Sequence, residues 1–175
     1  WNECGTTRWA VGHFTNSDRL DVMVSNRRSI MHSDETVVIN TRTNTVAWHR
    51  DILEMPNHTR GYGGGRYSIA SMGEDQLDNI IQAYPAEFSI IDGRTGKQIT
   101  TFNLGPVEGS NHWVIDGTPI VVNSEITIVT HPSMVIALQN ESDQTSILWR
   151  TEPNDGVNGF PSIGDVDGDG NIEIG

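Results

Sequence analysis

FSIIDGRTGKQITTF, Phe88 to Phe102, reads as an apolar run, a tight turn and a second strand ending in an aromatic. Asp-Gly and a second glycine within six residues mark a hairpin, because these residues tolerate the positive φ that such turns need. The same order recurs upstream in TVVINTRTNTVAW, Thr36 to Trp48, and downstream in MVIALQNESDQTSILW, Met134 to Trp149. A second pattern runs in step with the first. VGHFTNSDRLDVMV (Val11–Val24), IASMGEDQLDNII (Ile69–Ile81), IDGTPIVVNSEITIV (Ile115–Val129) and IGDVDGDGNIEI (Ile163–Ile174) each set an acid beside apolar residues. Taking Asp21, Asp78, Glu125 and Glu173 as the register, the copies stand 57, 47 and 48 residues apart.

Two phases repeating together at this period predict one structural unit of about four strands, the size of a β-propeller blade. The expected fold is all-β, with blades of four antiparallel strands near 9–52, 66–105 and 113–152 and the start of a further blade at 159–175. The register acids are expected at equivalent points of successive first strands, and Trp1, Trp48, Phe102 and Trp149 at the close of successive last strands. The turns Arg42–Thr45, Gly93–Lys97 and Gln139–Gln144 are expected to be exposed. EDQLDNIIQAY, from Glu74, could form a turn or two of helix, but its place in the repeat argues for strand. The chain is expected to be a partial propeller within a longer polypeptide, since it starts and stops in mid-repeat. A self-contained β-sandwich is the alternative.

The 175 residues carry 11 Lys and Arg against 23 Asp and Glu, a net charge of −12. Nucleic acid binding needs clustered cations, so a nucleic-acid partner is excluded. No apolar run reaches the roughly 18 residues of a membrane span, so no membrane insertion is expected in this segment. Divalent cations suit the charge.

The densest charge lies in DVDGDGNIE, Asp165 to Glu173. Asp165, Asp167 and Asp169 alternate along a tight loop and can aim oxygens at one centre. Gly168 and Gly170 let the backbone curl inward. The Asn171 carbonyl and the Glu173 side chain complete an oxygen shell of the kind that holds Ca2+. A solvated acidic turn is the plainer alternative. An EF-hand is disfavoured, because GFPSIG before the loop is not helical and NIEIG after it is strand-like.

SIGDVDGDGNIEIG resembles the FG-GAP repeat, also called the VCBS or integrin-α-type repeat. The resemblance implies propeller blades with Ca2+ in the loop between the first two strands. It implies an extracellular, cell-surface or periplasmic protein serving adhesion, scaffolding or ligand binding, with a protein or polysaccharide as ligand. The specific residues match only in the last copy. At the corresponding places the first copy has His13, Thr15 and Ser17, which cannot form the same cage, so one cation is expected.

No H-E-x-x-H pair or G-x-S-x-G elbow is present, and the lone Cys4 argues against a cysteine nucleophile. HTRGYGGGRY, with His58, Arg60, Tyr62 and Arg66, could supply a base and a cation; a structural or binding loop is the plainer alternative. Some rhamnogalacturonan lyases carry their site on a calcium-binding propeller of this kind. The alternative function is therefore part of a carbohydrate-active enzyme such as a polysaccharide lyase. Two sequons, at Asn57 and Asn140, are compatible with secretion.

Overall fold

The computed structural model describes residues 7–29, 32–51, 66–72, 75–83, 87–103, 118–131, 134–141, 144–151 and 162–174. Every regular element among them is a strand. The first sheet is β1 (Thr7–Gly12), β2 (Asp21–Ser29), β3 (His32–Asn40) and β4 (Thr45–Asp51). The second is β5 (Arg66–Ser71), β6 (Asp78–Ala83), β7 (Glu87–Ile91) and β8 (Gln98–Asn103). The third is β9 (Ile120–Val121), β10 (Ile126–His131), β11 (Met134–Glu141) and β12 (Gln144–Arg150). A two-stranded sheet of β13 (Ile163–Gly164) and β14 (Glu173–Ile174) follows. Each four-stranded sheet is an antiparallel meander, with neighbours in space also neighbours in sequence.

Turn chemistry builds the hairpins. Asp92 Oδ1 accepts the Thr95 N–H at 2.8 Å, and Gly96 takes φ +71°. The first sheet repeats this with different residues. Asn40 Oδ1 accepts the Arg42 and Thr43 N–H groups, and Asn44 takes φ +54°. Both solutions put a residue that tolerates positive φ at the same turn position.

The core lies between sheets. One cluster joins Phe14, Met23, Val38 and Trp48 of the first sheet and its loop to Ile80 and Ile91 of the second. The other joins Ile81, Ala83, Phe88 and Ile90 to Val129, Met134, Ile136 and Leu138 of the third. The middle sheet is thus covered on both faces, which is why Ile80-Ile81 and Ile90-Ile91 are apolar without alternation. The strand reading of the Glu74 segment holds over β6.

Three details of the sequence reading are corrected. Asp21, Asp78 and Glu173 begin the second strand of their sheets, and Glu125 immediately precedes β10; an unmarked first strand comes before each. Their register also slips. Each full sheet has a bulge between its third and fourth strands, after Val38, Ile90 and Ala137. Counting from those bulges, the residue matching Asp21 is Asn79, one beyond Asp78. By the same count Trp48 matches Thr100 and Trp149, so Phe102 lies two residues past the equivalent place.

The third correction concerns the turns. Arg42–Thr45 is exposed as expected, but Gly93 and Asn140 are buried. Gly93 presses against the neighbouring strand so closely that a β-carbon would stand 1.9 Å from the Asp78 carbonyl oxygen. Its own carbonyl accepts the Trp48 indole N–H at 2.7 Å. These turns therefore seal seams between sheets. Asn140 gives its Nδ2 to Thr127 Oγ1 at 3.0 Å, so its sequon nitrogen faces the interior. Asn57 and Trp1 lie outside the described residues.

Candidate metal centre

β13 and β14 pair Gly164 with Glu173, and the acidic loop fills the space between them. Gly168 at φ +79° and Gly170 at φ +88° turn their N–H groups inward. Both donate to Asp165, to Oδ1 at 2.7 Å and Oδ2 at 3.0 Å. Val166 N–H donates to Glu173 Oε2 at 2.6 Å, and Asp169 N–H to Asp167 Oδ1 at 3.1 Å. The backbone thereby orients three carboxylates. Oxygens of Asp165, Asp167 and Glu173 all lie within 4.8 Å of one another.

Asp169 stands apart from this trio. Its carboxylate accepts the Asn171 N–H and the Asn171 side-chain amide, each at 2.8 Å. Those donors, the backbone one first, hold its carboxyl below the usual carboxylate range. The group stays ionised at neutral pH, and the contacts weaken only as pH falls through that lowered value. Of the five residues read from sequence, the structure gathers three, and Asp169 and Asn171 bind each other.

The trio offers oxygen alone, with no sulfur or imidazole. Hard cations prefer such donors, and each carboxylate oxygen retains a lone pair beside its N–H bond. The residues present fit Ca2+.

The corresponding loop of the first sheet is tied by a single buried carboxylate. Asp21 is 2% exposed. Its Oδ2 accepts Thr15 N–H at 2.8 Å and Thr15 Oγ1–H at 2.7 Å, and its Oδ1 accepts Thr41 N–H at 3.1 Å. One carboxylate thus ties the β1–β2 loop to the β3–β4 turn. In the second sheet Asn79 Oδ1 receives Gly93 N–H at 3.4 Å. Asp78 instead reaches the first sheet, accepting His13 N–H at 2.7 Å.

His58, Arg60 and Tyr62 lie outside the described residues. Arg66 begins β5, paired with Ala83. Sequence reading missed a groove of about 420 Å3 between β5 and the β9 region, lined by Ser68, Ser71, Thr118, Asn123 and Ser124 over an apolar floor. Among the described residues its walls carry no charged side chain. No motif marks it, because first strands here have no recurring signature.

The chain matches no protein-family model and no curated protein. Among solved structures it is similar to the rhamnogalacturonan lyase YesW, with TM-score 0.64 and 15% identity over 97% of this chain and 40% of that one. It is also similar to BamB from Moraxella catarrhalis, with TM-score 0.53 and 11% identity over 83% of this chain and 41% of that one. At these identities the likeness is one of fold, and the chain spans about two fifths of each. Three four-stranded antiparallel sheets with their cores between them make this chain a segment of a β-propeller.

Proposed function

We propose that this chain is a calcium-stabilised part of an extracellular, cell-surface or periplasmic β-propeller, completed by further polypeptide. Its role is adhesion, scaffolding or the binding of a protein or polysaccharide. The observation that carries the cation is the convergence of Asp165, Asp167 and Glu173 within 4.8 Å. Unscreened, three carboxylates so close repel one another, and Ca2+ at about 2.3–2.6 Å from their oxygens removes that repulsion.

Calcium that binds only the folded state stabilises it by about 2.7 kcal/mol at a hundred times the dissociation constant. For 150–250 residues that raises Tm by roughly 5–10 °C, and by less in a longer polypeptide. Thermal melts of the full-length polypeptide in calcium and in chelator test this, and Asp167→Ala should abolish most of the difference. Identical melting in calcium and chelator would sink the cation site.

The polysaccharide-lyase reading has the fold shared with a rhamnogalacturonan lyase as its support. The described groove offers no cation to neutralise a uronate. A lyase site would therefore use His58, Arg60, Tyr62 or Arg66. Incubation with acidic polysaccharides, followed by ultraviolet absorbance of an unsaturated product, decides the matter. Turnover that is lost in Tyr62→Phe would make this an enzyme, and no product would leave a binding module.

A further inference from the structure

The bulge places Trp48, Thr100 and Trp149 at one repeated position on the fourth strands of the three sheets. Where another sheet follows, that position is sealed. Trp48 is 8% exposed and Thr100 7%. Trp48 lies over Gly96 of the second sheet and donates to the Gly93 carbonyl. Thr100 meets Thr145 Oγ1 of the third sheet at 3.4 Å. Trp149, in the last full sheet, is 40% exposed.

Outer-strand exposure is no rival explanation. Val46 and Ile147 share one exposed position and Ile99 and Leu148 another, so exposure there belongs to the blade design.

We propose that Trp149 is the seat of a fourth blade, the one that β13 and β14 begin. Each filled seat is occupied by the next blade along the chain, and the Gly164–Glu173 pair repeats the Gly12–Asp21 pair that starts the first blade. The Trp149 indole N–H donates to a carbonyl in the turn between that blade's third and fourth strands. A glycine in this turn faces the indole ring, since a β-carbon at Gly96 would stand 2.6 Å from Trp48. This assignment rests on the reading of the chain as part of a longer polypeptide, and is independent of the cation.

The test uses 15N-labelled full-length polypeptide, with Trp149→Phe identifying the Trp149 indole signal. Hydrogen exchange of that N–H should be slowed on the order of 100-fold relative to a free indole, equally at low and high protein concentration. Trp149→Phe, which keeps a ring but removes the donor, should lower Tm by roughly 2–4 °C. Exchange at the rate of a free indole would overturn the proposal. So would protection that grows with protein concentration, which would put a second copy on the seat, or a Tm indifferent to the substitution. Repeating the exchange in chelator separates the two readings, since a protected Trp149 in a protein indifferent to calcium keeps the seat and removes only the cation.

Discussion

Trp48→Ala should destabilise the protein by about 3–5 kcal/mol, lowering Tm by roughly 6–20 °C. The indole fills the seam between the first and second sheets among Phe14, Met23, Val38, Ile80 and Ile91. Truncation leaves a cavity there, because the turn it packs against is held by Asp92 and cannot collapse inward. It also strips the Gly93 carbonyl of its donor. Trp48→Phe should recover most of the apolar packing and lose only the hydrogen bond, about 1 kcal/mol. Urea or thermal unfolding of both variants measures this. Equal stability of Trp48→Ala and wild type would remove the seam as the source of cohesion.

The second large effect belongs to Asp21. Replacing it with alanine leaves Thr15 N–H, Thr15 Oγ1 and Thr41 N–H without their acceptor in a buried place. Hydrogen bonds to a charged group contribute about 1.5–3 kcal/mol, so a loss of about 3 kcal/mol is expected. Asp21→Asn should cost less, since Asn79 performs the corresponding service for Gly93. If Asp21→Ala melted within a degree of wild type, the latch would be decorative.

Much of this architecture could be read from the chain because turns carry local chemistry. Asp92-Gly93 and Asn40 through Asn44 announce their hairpins whatever lies around them. The first strands could not be read. TRWAVG and RYSIAS share no marker, and β9 has only two residues. The acids nearest them read as first-strand residues, whereas Asp21, Asp78 and Glu173 begin the second strand and Glu125 precedes it. The one-residue slip at Asp78 has a physical origin, since Asp78 and Asn79 are adjacent and both can accept a hydrogen bond. Only the bulge, formed by strand pairing, separates the residue that ties its own sheet from the one that ties the neighbour. Phe102 reads as the match of the tryptophans because it is aromatic, whereas the equivalent place holds Thr100. In the acidic loop, alternate spacing marks Asp165, Asp167 and Asp169, of which the structure gathers the first two with Glu173. The capture of Asp169 by Asn171 is a competition among short-range donors that spacing does not encode. The seams escaped reading altogether. The partners of His13 and Trp48 lie 65 and 45 residues away.

Cores that lie between sheets have a consequence for how the chain is made. As the chain emerges into the compartment where it folds, Met23 and Val38 arrive before Ile80 and Ile91, the residues that will cover them. The first sheet can complete its ladders early, yet its apolar face stays open until the second sheet has followed. Covering it exposes the second sheet's far face, with Ile81, Phe88 and Ile90, which waits in turn for Val129 and Leu138. Biogenesis becomes a relay in which one adhesive surface is always uncovered and is handed forward by each new blade. Chaperone demand should therefore follow the rate of emergence, and a pause between blades would lengthen the exposure of one particular face.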